Sequence, residues 1–281
     1  MEEKRTSYGR TILAYVVLII LAFLCLFFFY ILIINATRNH SQIQQGFSFL
    51  PGKSFFVNFH NVANDANIPV LSGIKNSLIV SAAAAALATY FSALTAYGLY
   101  AYEFKLKRPA FIFIMLILVM PTQVSALGFI RLITGMGLMN TLWPLFLPSV
   151  AAPAVFYFMY SYMQSSLPLE LVEAARIDGS NEFRTFNRIV LPIMKPAIAV
   201  QAIFTFVTSW NNYFTPSLVL KTETKKTLPV LIAELRSADF LKFDMGIVYM
   251  TIAFSIFPVI IVYLLLSKYI VGGVQLGGVK E

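Results

Sequence analysis

Long segments without a charged residue constrain the fold of this chain more than any other feature. There are six of them: Thr11–Ile34, Asn76–Tyr102, Pro109–Ile130, Leu132–Leu169, Pro196–Leu220 and Met245–Ser267. A membrane-spanning helix needs about 20 apolar residues. The fourth segment is too long for one helix, and the turn-forming residues Gly135, Gly137 and Asn140 predict that its span begins near residue 141 and ends near 162. The sequence therefore predicts an all-α polytopic membrane protein with six transmembrane helices.

The composition excludes a soluble globular domain. Hydrophobic residues other than glycine make up 58% of the chain and charged residues 12%, whereas a soluble domain has about 25% charged residues. The net charge of +8 is typical of a membrane protein with basic cytoplasmic loops, and we do not interpret it as nucleic-acid binding. The short 102–108 loop carries Lys105, Lys107 and Arg108, which predicts that this loop and both termini are cytoplasmic.

The predicted spans divide the chain into four regions. Residues 1–34 hold the N-terminal tail and the first transmembrane helix, and residues 35–75 form an extracytoplasmic loop. Residues 76–270 form a five-helix core that includes a long cytoplasmic loop at 163–195, and residues 271–281 form a cytoplasmic tail.

The interiors of the predicted spans contain no Asp, Glu, Lys, Arg or His. Carriers driven by protons or ions place titratable groups near the bilayer midplane, so transport here would be passive or powered by another chain. Gly52-Lys53-Ser54 does not complete a phosphate-binding motif, because that motif needs a glycine where Phe47 stands. We therefore predict no catalytic, cofactor or metal site on this chain.

One uncharged polar cluster lies in the fifth predicted span. Amide groups hydrogen-bond to hydroxyls and aromatic faces cover sugar C–H groups, so the cluster is a candidate solute path made of Trp210, Asn211, Asn212 and Tyr213. The alternative interpretation is an aromatic belt at the outer membrane interface.

The 163–195 loop is predicted to form two short helices. Pro168 opens the first, acidic residues occupy its early turns, and Gly179 ends it. Leu171, Ala174 and Ala175 share an apolar face, and Ser180 is the predicted cap of the second helix. A short helix with small residues suits insertion into the groove of a partner. A membrane-surface helix would instead carry a basic face, and this first helix is acidic.

The spacing within this loop resembles a known family motif. Glu173-Ala174-Ala175, Gly179, Ile189 and Leu191-Pro192 are similar to the EAA loop of permeases in binding-protein-dependent ABC importers. The stretches at 170–179, 210–214 and 268–273 resemble the second permease of maltose-type carbohydrate importers, and the resemblance covers residues 70–279.

The resemblance implies a six-helix subunit of a bacterial cytoplasmic membrane importer. It would pair with a second permease subunit, while two cytoplasmic ATPase subunits supply ATP and Mg²⁺ and an extracytoplasmic binding protein delivers an oligosaccharide. Residues 173–179 would form the coupling helix, with Glu173 or Asp178 meeting a basic group of the ATPase. The implied coupling residues are Glu173, Ala174, Ala175, Arg176, Asp178, Gly179, Ile189, Leu191 and Pro192.

Two other functions are compatible with the residues. One is an importer of the same architecture for a non-sugar solute such as glycerophosphodiesters, although a strongly phosphorylated solute favours a cationic path. The other is a passive channel, which would transport without any ATPase.

Overall fold

The computed structural model of the chain describes residues 2–64, 68–237 and 244–277. These residues contain helices and turns but no β-strand, which confirms the predicted all-α class. Short non-α helical turns also occur, at Leu147–Val150, Phe186–Val190 and Glu223–Lys225. The helices α1 to α15 are, in chain order, Glu2–Ala36, His40–Gln44, Phe55–Asn64, Val70–Ala101, Lys107–Val119, Thr122–Gly135, Trp143–Phe146, Pro153–Ser166, Leu169–Ile177, Glu182–Thr185, Leu191–Ile193, Lys195–Trp210, Phe214–Val219, Leu228–Ser237 and Met245–Gly277.

Among the described residues, four helical segments are long and apolar enough to cross a membrane, and the number rises to six if each of two bent helix pairs counts as one span. The four are Tyr8–Ala36, Val70–Ala101, Trp143–Ser166 and Met245–Tyr269. The chain is thus a polytopic membrane protein, and six spans remain a prediction.

The third predicted span is not one straight helix. Helix α5 ends at Val119, Met120 has an extended backbone (ψ 126°), and the chain restarts in α6 with the two axes bent by 104°. Pro121 explains the break, because proline lacks an N–H donor and disfavours a helical conformation in the residue before it. Arg131, just beyond the charge-free segment, lies in α6.

The fourth and fifth predicted spans are also interrupted. The fourth begins with α7 and a 3₁₀ turn, in which Pro144 and Pro148 stand near the start of each short element, and continues as α8 from Pro153. The fifth ends at Trp210 and resumes as α13. These interruptions place irregular backbone inside segments that the sequence presents as continuous.

The described residues fall into two compact units, one within 1–70 and 232–256 and the other within 71–231 and 257–281. In the first unit, the stretch after α1 is folded rather than extended. Asn58 is buried and donates from Nδ2 to the carbonyl oxygens of Ala36 and Arg38 at 2.8 and 2.9 Å. A Cβ atom at Gly52 would lie 2.5 Å from the carbonyl oxygen of Thr37, so this close approach requires glycine.

In the second unit, the core forms around the small side chains of α4. Small residues allow helix backbones to approach closely in a membrane protein. Helix α8 packs against α5 and α12, and the most deeply buried members of the core are Ala88, Ala93, Ala96, Met159, Met163, Phe186, Val190 and Met194. This core extends from α4 to the 163–195 loop and therefore positions that loop.

Candidate functional site

Helix α9 forms the first half of the 163–195 loop, as the sequence predicts. It starts after Pro168, whose extended backbone (φ −65°, ψ 126°) lies at the N-cap. Glu170 lies in the first turn and Arg176 in the last, which complements the helix dipole at both ends. The proline start and the charge distribution explain why these nine residues form a helix.

Gly179 ends α9 in the left-handed conformation, with φ +78°. The Ser180 N–H donates to the Ala175 carbonyl at 2.9 Å, and the Gly179 N–H donates to the Arg176 carbonyl at 3.0 Å. This pair of bonds is the Schellman motif, which satisfies the final carbonyl groups of a helix. A Cβ atom at Gly179 would meet nothing within 4 Å, so the backbone conformation alone demands glycine here.

The predicted cap of the second helix is wrong by one residue. Asn181, not Ser180, is the N-cap of α10, and its side chain accepts from the Arg184 N–H at 2.8 Å. Ser180 completes the Schellman motif through its N–H, and Asn181 has the extended conformation of an N-cap (φ −76°, ψ 159°). The chain then continues through a π-helical turn at Phe186–Val190.

The predicted apolar face of α9 is divided between the core and the surface. Ala175 is buried together with Val172, which is 1% exposed. Leu171 and Ala174 are exposed instead. Residues three apart share a helix face, so Val172 and Ala175 form the side that packs against the core.

The exposed side of the loop carries acidic and large apolar residues. Glu173 and Asp178 are exposed. Ile177 and Phe183 are 87% and 70% exposed, and the sequence did not single them out as surface residues. They flank the Gly179 turn, so the loop presents apolar groups next to its acids.

Arg176 makes contacts within the chain. Its Nε donates to Oε1 of Glu182 at 2.9 Å, and Tyr97 of α4 donates its hydroxyl to Oε2 of the same carboxylate at 2.9 Å. The Arg176 guanidinium also lies 4.8 Å from the centre of the Tyr102 ring. Interactions with the Tyr102 and Glu182 side chains raise the pKa of Arg176.

Two further tyrosines of α4 bind the same loop. Tyr90 donates to Oδ1 of Asn187 at 3.3 Å, and Tyr100 donates to the carbonyl oxygen of Leu167 at 3.0 Å. Sequence reasoning missed these residues. Tyr90 and Tyr97 are seven residues apart, two helical turns, and this spacing was the available signal.

The remaining motif residues lie where the loop returns to α12. Ile189 and Leu191 are half-buried, and Pro192 is exposed near the start of the short helix α11. Proline suits this position because backbone N–H groups in the first turn of a helix have no carbonyl partner within the helix, so the missing N–H of proline costs no hydrogen bond. These residues therefore lie where the chain leaves the loop and enters α12.

The candidate solute path lies at the break between α12 and α13. Trp210 is buried and stacks on Phe206 with ring centroids 5.8 Å apart. Asn212 accepts from the Thr215 N–H at 3.3 Å, while Asn211 and Tyr213 are exposed. The break therefore exposes the Asn211 amide and the Tyr213 ring, whereas Trp210 packs in the core and Asn212 accepts from the first turn of the next helix. In the part of the chain that the structure describes, no three His, Cys, Asp or Glu residues could together hold a metal ion.

Comparison with known families identifies the class of protein. The chain matches the family described as "Binding-protein-dependent transport system inner membrane component" over residues 88–274. This match covers more than half of the chain and includes the whole 163–195 loop. The chain therefore belongs to this family of membrane permeases, which confirms the resemblance drawn from the loop motif.

Individual relatives agree with this family. The chain is 35% identical to the arabinooligosaccharides transport system permease protein AraQ of Bacillus subtilis (strain 168), over 73% of this chain and 72% of the relative. It is 30% identical to the trehalose/maltose transport system permease protein MalG of Thermococcus litoralis, over 98% of this chain and 99% of the relative. These relatives are transport permeases rather than enzymes.

A solved structure shares the fold. It is a crystal structure of a bacterial ABC transporter involved in the import of the acidic polysaccharide alginate, and one of its chains matches with a TM-score of 0.81. The two chains are 23% identical, and the match covers 94% of this chain and 98% of that one.

Proposed function

We propose that this permease imports a carbohydrate, most simply an oligosaccharide, as one half of the translocation path of an ABC importer. The observation that carries the ABC-importer part of the proposal is the α9 surface, where the motif acids Glu173 and Asp178 stand beside exposed apolar groups. The names of AraQ and MalG, both carbohydrate permeases, support the substrate class. The charge-free segments of the chain fit a neutral solute.

Helix α9 is the coupling helix in this proposal. It inserts into a cleft of a cytoplasmic ATPase subunit, where Ile177 and Phe183 bury apolar surface and Glu173 or Asp178 pairs with a basic group. Two such ATPase subunits bind and hydrolyse ATP with Mg²⁺, so the chemistry lies on partner chains. With α9 on the cytoplasmic side, the basic 102–108 loop and both termini are cytoplasmic as well.

Two further partners complete the proposed importer. A second permease subunit encloses the path with this chain, and an extracytoplasmic binding protein delivers the sugar. Asn211 and Tyr213 are the preferred contacts for sugar hydroxyls and C–H faces, because their side chains are exposed at the helix break. Trp210 and Asn212 remain candidates as members of the same turn.

Variants of α9 test the coupling role. Glu173→Lys reverses the charge on the proposed docking face, and Gly179→Pro cannot adopt the positive φ that the turn needs. Both should lose the ATPase subunits on purification of the complex from membranes. Glu103→Lys is the matched control, because Glu103 is an exposed acid outside α9 that pairs with Lys107 one turn away. Full retention of the ATPase subunits in both α9 variants would refute the coupling role.

Solute binding tests the substrate class. Calorimetry of the partner binding protein with arabinotriose, maltotriose and glycerophosphocholine should show binding of an oligosaccharide. Binding of glycerophosphocholine alone would identify the importer as one for a non-sugar solute. Sugar flux through liposomes that contain only this chain would instead favour the passive channel.

A further inference from the structure

One carboxylate joins three elements next to the proposed docking surface. One oxygen of Glu182, in α10, accepts from Tyr97 of α4 and the other accepts from Arg176 of α9, and the Tyr102 side chain also interacts with this carboxylate. We infer that this Tyr97–Glu182–Arg176 network is a positioning device, which fixes the orientation of α9 on α4 so that the two helices move as one body when the ATPase subunits move. The inference rests on the proposed coupling role of α9.

The α4 end of the network cannot swing freely. Tyr97 is 3% exposed, and its ring packs between the rings of Phe186 and Tyr102, with centroid distances of 5.6 and 5.7 Å. Phe186 is itself completely buried. Packing of the ring fixes the position of the Tyr97 oxygen, so the hydrogen bond from this oxygen favours one position of the Glu182 carboxylate.

Apolar packing alone would leave α9 free to adjust. Its buried side consists mainly of Val172 and Ala175, and hydrophobic contact between such small groups is not directional. Hydrogen bonds depend on distance and angle, so the bond from Arg176 restricts rotation of α9 about its axis. Arg176 lies between Glu173 and Ile177, on the same turns that present the proposed docking residues.

The ion pair of the network contributes little to global stability. The Arg176 and Glu182 side chains are 36% and 46% exposed, and ion pairs exposed to this degree contribute little to stability. The same contacts still favour one orientation of α9 over slightly rotated orientations. Tyr100 supports this arrangement, since its bond to the Leu167 carbonyl holds the chain just before α9 begins.

The test uses the complete complex of both permease subunits and the ATPase subunits in lipid nanodiscs, without the binding protein. Tyr97→Phe removes only the hydroxyl, and Glu182→Gln removes the charge while keeping the shape. When α9 is held less firmly, the resting permease no longer restrains ATP hydrolysis by the ATPase subunits. We expect kcat for Mg-ATP to rise roughly fivefold, the factor that corresponds to one lost hydrogen bond, with KM unchanged. Amide hydrogen exchange in α9 should quicken by a similar factor.

The controls are a tyrosine and a glutamate outside the network. Tyr157→Phe changes an exposed ring of α8, and Glu103→Gln removes the local Lys107 ion pair. Both should match the unmodified complex in hydrolysis and in exchange. Misfolding cannot imitate the expected result, because it lowers hydrolysis and the yield of complex together.

Three outcomes would overturn the inference. The first is unchanged hydrolysis and exchange in both network variants. The second is faster exchange with unchanged kcat, which would reduce the network to local stabilisation. The third is lower hydrolysis with loss of the ATPase subunits, which would indicate a role in assembly only. If Glu173→Lys and Gly179→Pro both retain the ATPase subunits, the coupling role fails separately, and hydrogen exchange still reports whether the network holds α9.

Discussion

Gly179 and Asn140 both turn the backbone in the left-handed sense, and different features support their turns. Their φ angles are +78° and +59°. Gly179 ends α9 with nothing near the place of a Cβ atom, and its contribution is conformational freedom. Asn140 stands before α7, and its side chain holds a second segment of the chain.

The Asn140 side chain accepts from the N–H groups of Lys221 and Thr222 at 3.0 and 3.1 Å and donates to the Thr222 hydroxyl at 2.8 Å. Its own N–H donates to the Val219 carbonyl at 3.0 Å. Residues 219–222 are thereby tied to the start of the fourth predicted span. One turn therefore needs a residue that tolerates a positive φ, and the other needs a particular side chain.

The largest effect is expected at Gly179. Gly179→Val forces a β-branched residue into the left-handed region and should reduce the stability of the α9 end by about 2 kcal/mol. Amide hydrogen exchange of residues 174–180 in the purified complex measures this loss. If these amides exchange as slowly in the variant as in the unmodified complex, other contacts stabilise the turn.

A smaller loss should follow from Asn140→Gly. Glycine relieves the left-handed strain but removes the three side-chain hydrogen bonds, with a net cost of about 1.5 kcal/mol. The expected result is faster exchange of the Lys221 and Thr222 amides, with α9 unaffected. If Asn140→Gly leaves the exchange of these two amides unchanged, the contrast between the two turns is wrong.

The cap after Gly179 gives a third test. Asn181→Ala removes the side-chain acceptor for the Arg184 N–H and should destabilise α10 by about 1 kcal/mol. Ser180→Ala is the comparison variant: it removes the hydroxyl that accepts from Thr185 at 3.0 Å, but it should leave the Arg184 amide unchanged because Asn181 still accepts from that N–H. Exchange of the Arg184 amide distinguishes the two variants, and a larger effect of Ser180→Ala would restore the cap predicted from the sequence.

The smallest effect is expected from Gly179→Asn, which places at position 179 the residue type found at position 140. Asparagine tolerates the left-handed conformation better than other residues with a side chain, so Gly179→Asn should cost about 0.5 kcal/mol. Retention of the ATPase subunits, together with nearly normal exchange, is the measurement. A loss as large as that of Gly179→Val would indicate that the space around Gly179 is filled in the complex.

Much of the fold and part of the site could be predicted from local patterns. Charge-free length predicts membrane helices because the bilayer excludes charge, and Pro168 and Gly179 predict the bounds of α9 because proline and glycine act on their own backbone. The breaks at Met120 and at Asn211–Tyr213 were not predicted as interruptions. Uninterrupted hydrophobicity does not reveal where a proline or an amide ends a helix inside an apolar segment.

The sequence by itself determined the membrane class, the family motif and the acidic surface of α9. Each depends on residue type and short spacing along the chain. Only the tertiary structure decided that Val172 packs inward, that Ile177 is exposed, and that Tyr97, Glu182 and Arg176 meet. Those contacts join residues up to 85 positions apart, and long-range pairing depends on how the helices pack, which no local pattern records.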